Sequence, residues 1–331
     1  MENAQPTSKE RYQTWCSQQP NLPVFIQPWW MDAVCAGKQW DVLLYINEKT
    51  DVILAAMPYL LRKRFGIRYI LMPQLTQIGG IWFDHTLYNK DGSIWDKDLE
   101  QQVYQSFANR LKDLNLAYYY QQFPLQSTAP ESLQKLGFTS HQRLTYRLDD
   151  LTNLDEVIER FSKNKKRQLQ KALSLHAERG LSVEMFYRLH EQCLKEKKKH
   201  ISYTREFLLV LDRKAKRAKQ SEIISIHNAD GDIYAAAYLV WDNRSVYYLI
   251  PFIAERHRDS GAGALLVLES IKFAREKHLA FDFEGSMVHS VANHYRQFGS
   301  TPTPYYSVHK YYRWWFIFAI GWQRLRTWFV W

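Results

Sequence analysis

A glycine-rich turn with two arginines is the stretch whose residue types and spacing are best suited to chemistry. It runs Arg256-His-Arg258-Asp-Ser-Gly261-Ala262-Gly263-Ala264, between a strand-like run at 245–253 and a helix-like run at 264–278. The first N–H groups of a helix lack intrahelical partners and carry partial positive charge, so a turn of this kind binds phosphate-like anions. Glycines let the backbone approach such an anion, and arginines add charge-assisted bonds. The alternative is that the two glycines only permit a tight turn.

Two acids follow in the run Phe281-Asp282-Phe283-Glu284-Gly285. Successive side chains of a strand point to opposite faces, so we expect Asp282 and Glu284 on one face. Carboxylates in such a place can exchange protons with a bound substrate. The alternative is that either acid is the ion-pair partner of Arg258 or Arg296.

The chain is basic, and its charge is concentrated in one segment. It has 331 residues and a net charge of +10, and 46% of its residues are hydrophobic, which is typical of a globular protein with two domains. Between Arg160 and Lys219 stand 18 Lys and Arg residues against six acids. This favours a polyanionic partner such as a nucleotide cofactor, RNA, an anionic lipid or a cell-wall precursor. The alternative is a set of ordinary solvated helix faces.

The cysteines and the terminus bear on the compartment. Cys16, Cys35 and Cys193 are odd in number and widely spaced, which argues against a disulfide framework and against a cysteine-based metal site. The first residues lack the basic and apolar regions of a secretory signal, and no apolar run reaches the ~18 residues that cross a bilayer. We therefore expect a cytoplasmic protein without a metal.

Hydrophobic periodicity predicts the elements that position these residues. Residues 1–150 alternate between strand and helix patterns, and residues 151–310 repeat the order of helices, strands and helix. After the junction we expect one long helix over 154–179, capped by Asn153. The prediction is an α/β protein with mixed sheets. It comprises an N-terminal domain (1–150), a C-terminal domain with the glycine turn (151–310) and an aromatic, basic tail (311–331).

Several motifs resemble one superfamily. Arg258-Asp-Ser-Gly261-Ala-Gly263 matches the acyl-CoA pyrophosphate loop of the GNAT acetyltransferases, Arg/Gln-x-x-Gly-x-Gly/Ala, and Asn293-His-Tyr295-Arg-Gln-Phe298-Gly299 resembles their Asn…Tyr…Gly-Phe helix. The FemAB-like branch, which has two tandem GNAT-type domains, resembles this chain in further stretches. These are Leu136-Gly-Phe138, Thr145-Tyr-Arg-Leu-Asp149, the run 161–172 and the acidic run 281–286.

The resemblance implies how an acyl donor such as acetyl-CoA binds. Two central strands splay apart and the pantetheine arm enters the gap, while the pyrophosphate rests on Gly261, Ala262, Gly263 and Ala264 with Arg256 or Arg258 beside it. A backbone N–H within 249–252 would polarise the thioester carbonyl. The implied catalytic residues are Glu284 as the base, with Asp282 beside it, and Tyr295 as the acid that protonates the thiolate. Tyr295 is alternatively a buried aromatic with a satisfied hydroxyl.

On the acceptor side, the resemblance implies a cleft that binds aminoacyl-tRNA or an anionic cell-wall precursor. Lys163 and Arg167 share one face of the basic helix and are candidate substrate ligands. His289 and Asn293 are further candidates, with a surface histidine and a helix-capping asparagine as alternatives.

Three functions remain open from the sequence. The first is an N-acyltransferase that moves an acyl group from acyl-CoA to an amine of a cell-envelope sugar or peptide precursor. The second is a FemAB-type transferase that uses aminoacyl-tRNA, and the third is a non-catalytic module for membranes or polyanions. The tail at 311–331 mixes Trp and Phe with Arg and contains no acid, which suits peripheral contact at the inner face of a membrane. The alternative is that it packs on the protein.

Overall fold

The computed structural model describes residues 6–35, 40–125, 127–285 and 287–317. The chain divides into two compact units. The first unit comprises the residues up to Arg143 together with the segment from Pro304, and the second comprises Leu144–Thr303. The domain boundaries at 150 and 310 stay predictions, and each unit is described by itself.

Regular elements cover most of the described chain. The first half contains α1 (Ser8–Ser17), α2 (Pro28–Val34), β1 (Trp40–Asn47), β2 (Val52–Arg64), β3 (Ile67–Leu71), β4 (Trp82–Phe83), α3 (Lys97–Asp113), β5 (Tyr118–Phe123), α4 (Ala129–Lys135) and β6 (Thr139–Leu148). The second half contains α5 (Leu154–Glu159), α6 (Lys163–Lys171), β7 (His176–Arg179), α7 (Val183–Glu196), α8 (Arg205–Arg217), β8 (Ser221–His227), β9 (Ile233–Trp241), β10 (Ser245–Ile253), α9 (Ala262–Glu276), β11 (Ala280–Asp282), α10 (His289–Arg296) and β12 (Thr301–Tyr311). No helix among the described residues is both long and apolar enough to cross a membrane.

The two units have the same strand plan. In the first unit, β1, β2 and β3 are antiparallel, β3 and β5 are parallel, and β5 and β12 are antiparallel. In the second, β7 to β10 are antiparallel, β10 and β11 are parallel, and β11 and β6 are antiparallel. The last strand of each sheet comes from the other half of the chain. The predicted α/β fold with mixed sheets and two like domains is confirmed.

One long helix with a buried apolar face covers the strands of each unit, α3 in the first and α9 in the second. Val103, Phe107 and Leu111 of α3 recur at helical spacing and are buried in the core of the first unit. In the second unit, α9 lies on β8, β9 and β10, with Leu266 and Ile271 buried. Each buried Leu or Ile contributes about 1.5–3 kcal/mol relative to an exposed one, so these faces hold the helices on the sheets.

The single long helix predicted for 154–179 is wrong. The structure has α5, α6 and β7 in its place. Asn153 caps α5 as expected, but Ser162 starts a new helix, because its side chain accepts from the Lys165 N–H and its own N–H donates to Gln297. The residues His176–Arg179 pair with β8, since a strand adjacent to a sheet edge satisfies more backbone groups than a solvated helix end.

Candidate active site in the second unit

Strands β10 and β11 diverge in the second unit. They pair in parallel only through Ser245–Tyr247 and Ala280–Asp282, and β11 ends there while β10 continues to Ile253. The register with β9 also shifts between Tyr247 and Ile250, which places one extra residue in β10. Such a bulge bends a strand and is common beside active sites. The pairing of β10 with β11 therefore ends in the region where the resemblance implied that two strands separate.

The continuing part of β10 carries the predicted donors to an acyl carbonyl. Within 249–252, Pro251 has no N–H, and the register with β9 directs the N–H groups of Ile250 and Phe252 towards β9, so the candidate is the N–H of Leu249 at the bulge. The Leu249 side chain is buried. The backbone stretch thus lies in the low-dielectric setting in which an N–H stabilises a developing oxyanion most strongly.

The glycine turn begins α9 and is closely packed. Gly261 has φ +85°, and a Cβ there would lie 2.1 Å from the backbone oxygen of Gln168 in α6. A Cβ at Gly263 would lie 2.4 Å from Cδ1 of Ile253. Gly261 is therefore required by its positive φ and by the approach of the α6 backbone, whereas at Gly263 the neighbour is the end of the Ile253 side chain, which can shift. The sequence could not distinguish this packing from approach to a phosphate.

The turn still offers backbone donors. Ala262 and Ala264 are buried, and their N–H groups donate to Ser260 Oγ (3.2 Å) and the Gly261 oxygen (2.9 Å). The N–H groups of Gly261 and Gly263 have no hydrogen-bond partner among the described residues. An anion at the start of α9 would satisfy them.

The two arginines of the turn are exposed. Arg256 lies in the single helical turn Glu255–His257, just before the glycines. Arg258 is 72% exposed at its side chain, with Nη1 3.3 Å from Oε1 of Glu255. Neither arginine has a buried partner, so both can bind a ligand. For Arg258 this would break only the exposed ion pair with Glu255, which contributes little to stability.

Asp282 is a buried member of an ion pair. Its carboxylate accepts from Arg147 Nη1 (3.0 Å), from the hydroxyl of Thr145 and from the Glu284 N–H (2.8 Å). Burial raises the pKa of Asp282, and Arg147 and Thr145 oppose that effect. The sequence offered Arg258 or Arg296 as its partner, whereas β6 pairs with β11 and brings Arg147 there.

Glu284 lies where β11 has ended, in a strained conformation. Its φ is +59°, a region that costs a non-glycine residue about 1 kcal/mol or more. Its Oε1 is buried and has no hydrogen-bond partner among the described residues. Burial, and then the charge of Asp282, raise the pKa of Glu284 well above its ordinary value. Strain and an unpaired carboxyl at one residue are typical of functional sites. The expectation that both acids lie on one face of a continuous strand is wrong, because the strand stops at Asp282.

Tyr295 lies beside these acids on α10. Its ring is 4.8 Å from Phe283 and 5.9 Å from Tyr146, centroid to centroid. Burial raises its pKa, and the charges of Glu284 and Asp282 raise it further. The hydroxyl therefore keeps its proton at neutral pH and can donate it to a leaving group.

A buried cation, Lys165 on α6, lies next to a neutral histidine, His294 on α10. The sequence analysis did not select either residue. Lys165 is 3% exposed, and its ammonium donates to Gln168 Oε1 (3.1 Å) and His294 Nδ1 (3.2 Å) and lies 4.7 Å from the centre of the Phe298 ring. Burial lowers the pKa of Lys165 to about 8. Burial and the Lys165 charge lower the pKa of His294 to about 4. In the sequence, Lys165 was one of several lysines in a basic run, with no signal to separate it.

The predicted substrate ligands lie on exposed surfaces. Lys163 and Arg167 are exposed on α6, where Arg167 donates to Asn164 Oδ1 (3.1 Å). His289 and Asn293 are exposed on α10 and bond to each other (2.9 Å). The structure therefore brings Glu284, Asp282 and Tyr295 together and places these four residues outside that group. The described part of the chain contains no cluster of three or more potential metal ligands.

The comparisons with known proteins agree with this geometry. The family described as an acetyltransferase (GNAT) domain matches residues 135–295. No curated protein matches the sequence. The crystal structure of FemX is similar with a TM-score of 0.67 and 13% identity, over 92% of this chain and 97% of that one.

Two further solved structures have the same plan. A tandem GNAT protein from the clavulanic acid biosynthesis pathway is similar with a TM-score of 0.54 and 8% identity, over 92% of this chain and 94% of that one. L-PGS from Bacillus licheniformis is similar with a TM-score of 0.52 and 11% identity, over 95% of both chains. At these identities the likeness establishes the fold.

Proposed function

Because this chain is a GNAT-type acyltransferase with the FemAB-like tandem fold, we propose that it transfers an acyl group from an acyl-CoA thioester to an amine. The observation that carries the proposal is Glu284, which has positive φ and whose buried Oε1 has no hydrogen-bond partner among the described residues, at the point where the pairing of β10 with β11 ends. Folding alone does not account for such a group, since an unpaired buried polar atom costs about 1–3 kcal/mol.

Glu284 and Tyr295 divide the proton transfers in this proposal. The amine nitrogen bonds to the acyl carbon as the carbon–sulfur bond breaks. Glu284, in its ionised form, takes a proton from the amine, and the Tyr295 hydroxyl protonates the departing thiolate. A carboxyl with a raised pKa is a stronger base once ionised, which matches it better to an amine. Arg147 acts through Asp282, which holds the backbone of Glu284 in place.

The glycine turn supports an acyl-CoA-type donor. The N–H groups of Gly261 and Gly263 are without partners among the described residues, and Arg256 and Arg258 are exposed beside them. The side of Gly261 that faces α6 is filled by Gln168, so a pyrophosphate would approach from the N–H side of the turn.

The acceptor in this proposal is an amine on an anionic cell-envelope precursor, in the cytoplasm. Lys163 and Arg167 on α6 support an anionic molecule, because both are exposed and neither forms an ion pair in the described part of the chain. His289 and Asn293 can contribute hydrogen bonds from α10.

Aminoacyl-tRNA is the second candidate donor. The close packing of α6 on Gly261 favours it, because this packing narrows the space for a CoA pyrophosphate. The exposed basic residues of α6 suit RNA phosphates. Transfer from its ester to an amine would use Glu284 in the same way.

Calorimetric titration of the full chain with acetyl-CoA and with aminoacylated tRNA tests the donor. We expect acetyl-CoA to bind, and the double variant Arg256→Gln, Arg258→Gln to weaken binding about tenfold or more, since two charge-assisted contacts are lost. Arg188→Gln, at an exposed arginine of α7, is the matched control. Binding of aminoacyl-tRNA without acetyl-CoA would select the second donor. Failure to bind either would refute both.

A further inference from the structure

The turn between β2 and β3 in the first unit presents an aromatic side chain to solvent. Phe65 and Gly66 form a two-residue connection in which both have positive φ, +49° and +77°. Asn, Asp or Gly suits the first position of such a turn, and a Phe there is strained. Phe65 is nevertheless 88% exposed, and the guanidinium of Arg64 lies 5.3 Å from the centre of its ring. Folding does not explain an exposed aromatic in a strained conformation.

A second exposed apolar group lies beside this turn. Phe316 is buried, with its ring 5.5 Å from Tyr69 and 5.9 Å from Tyr118. This contact anchors the segment after β12 on β3 and β5. Trp314 is left 76% exposed and Ile317 51% exposed.

The turn and the segment belong to one surface of the first unit. Ile67, two residues after Phe65, packs in the same cluster as Trp315 and Phe316. Arg64 is directly opposite Ile67 in the hairpin register, so both side chains lie on the same face of the sheet. We call residues 62–68 and 313–317 the Phe65–Trp314 surface.

The charge of this surface is of one sign. Its two segments contain five basic residues and no acid. Arg62 and Arg64 lie on the face of Ile67, whereas Lys63 and Arg68 lie on the opposite face of the hairpin, and Arg313 is exposed beside Trp314. The sequence that follows Ile317 continues the composition, with Trp, Phe and two arginines and no acid. Exposed aromatic and aliphatic tips ringed by Lys and Arg are the composition by which proteins enter the interface of an anionic membrane.

We propose that the Phe65–Trp314 surface docks this protein on an anionic lipid bilayer. The protruding Phe65, Trp314 and Ile317 enter the headgroup region while the surrounding basic residues face the lipid phosphates. An anionic bilayer fits better than a soluble polyanion, because only a bilayer gains energy from burying an aliphatic side chain such as Ile317. This inference concerns docking and does not depend on acyl transfer.

Co-sedimentation of the full chain with vesicles of phosphatidylcholine and phosphatidylglycerol tests it. We expect retention on these vesicles, weaker retention on pure phosphatidylcholine and partial loss in high salt. Phe65→Asn should reduce partitioning by about tenfold, the value of burying one aromatic. It should fold at least as well as the natural chain, since Asn tolerates positive φ. Arg64→Gln should reduce partitioning by about fivefold, the value of one basic residue near an anionic surface.

The matched control is Trp95→Gln, at a Trp that is 57% exposed in the loop before α3. It should leave vesicle binding unchanged, whereas Trp314→Gln should reduce it, and the melting temperatures of all four variants should show that they fold. Absence of retention on anionic vesicles overturns the proposal. Retention that Phe65→Asn and Trp314→Gln leave intact also overturns it. A loss in these variants of binding to total tRNA, with vesicle binding unchanged, would assign the surface to a soluble polyanion instead.

Discussion

Replacing Glu284 by Gln should make the protein more stable and less active at once. Glu284 has φ +59° and a buried Oε1 without a partner among the described residues. Gln has the same shape and the same strain, so these costs largely cancel between the two proteins. What differs is that the carboxyl titrates and the amide does not.

The direction of the stability change follows from the pKa. Burial and the Asp282 charge raise the pKa of Glu284 in the folded protein, whereas in the unfolded chain it lies near its ordinary value of about 4.3. Between those two values the unfolded chain releases a proton that the folded chain retains, so the stability of the natural protein falls as pH rises. Glu284→Gln does not lose stability in this way, because Gln does not titrate. The difference in the free energy of unfolding between the variant and the natural protein should therefore grow by up to about 1.4 kcal/mol for each pH unit within that window and then level off.

Urea unfolding of both proteins between about pH 5 and pH 8 measures this difference. Glu159→Gln, at an exposed residue of α5, is the control and should follow the natural protein. Parallel stability curves for the natural protein and Glu284→Gln would refute the claim that the folded protein keeps Glu284 protonated. The rate of acyl transfer by Glu284→Gln should fall about 100-fold or more. The increase of kcat/KM with pH around the raised pKa of Glu284 should also disappear in this variant. The stability difference without any loss of activity would show that Glu284 is not the base.

Three other perturbations test the packing around the site. Gly261→Ala should destabilise by about 1–3 kcal/mol, because its φ is +85° and its Cβ would meet the backbone oxygen of Gln168; Gly263→Ala should cost less in urea unfolding, since only the end of the Ile253 side chain must shift, and equal losses would contradict the packing argument. Burial lowers the pKa of Lys165 to about 8, against about 10.4 in the unfolded chain, so the natural protein should become more stable as pH rises between these values. Lys165→Met should remove this gain, and an equal dependence of stability on pH in the two proteins would contradict the burial argument. Arg147→Met should cost about 3–5 kcal/mol by leaving Asp282 buried without its partner, and adding Asp282→Asn should recover part of it; an unchanged melting temperature would exclude a structural ion pair.

Much of the fold could be predicted because its signals are local. The helical spacing of Val103, Phe107 and Leu111 and the β-branched and aromatic run of β10 depend on neighbours within a few residues. The predicted helix over 154–179 failed because Ser162 and the residues at 176–179 find their partners in α10 and β8, far away in sequence. Periodicity within one segment contains no information about such partners.

The site divides in the same way. The motifs selected Glu284, Tyr295 and the glycine turn as candidates, because residue type and order carry the resemblance to GNAT enzymes. The partner of Asp282 could not be predicted, since Arg147 reaches it only through the pairing of β6 with β11. Lys163 and Lys165 are alike in sequence, yet only Lys165 is buried, because its face of α6 meets His294.

The sequence by itself determined the resemblance to GNAT domains, the α/β class, the two like halves and the chemical types available to the site. Only the tertiary structure decided which of those groups are buried, paired or strained. It placed Gly261 against the backbone of α6, left Oε1 of Glu284 without a partner among the described residues, and packed Ile67, two residues after Phe65, in one cluster with Trp315 and Phe316. Composition and spacing depend on covalent neighbours, whereas burial, pKa and strain depend on which distant segments pack together, and that is settled only when the whole chain folds.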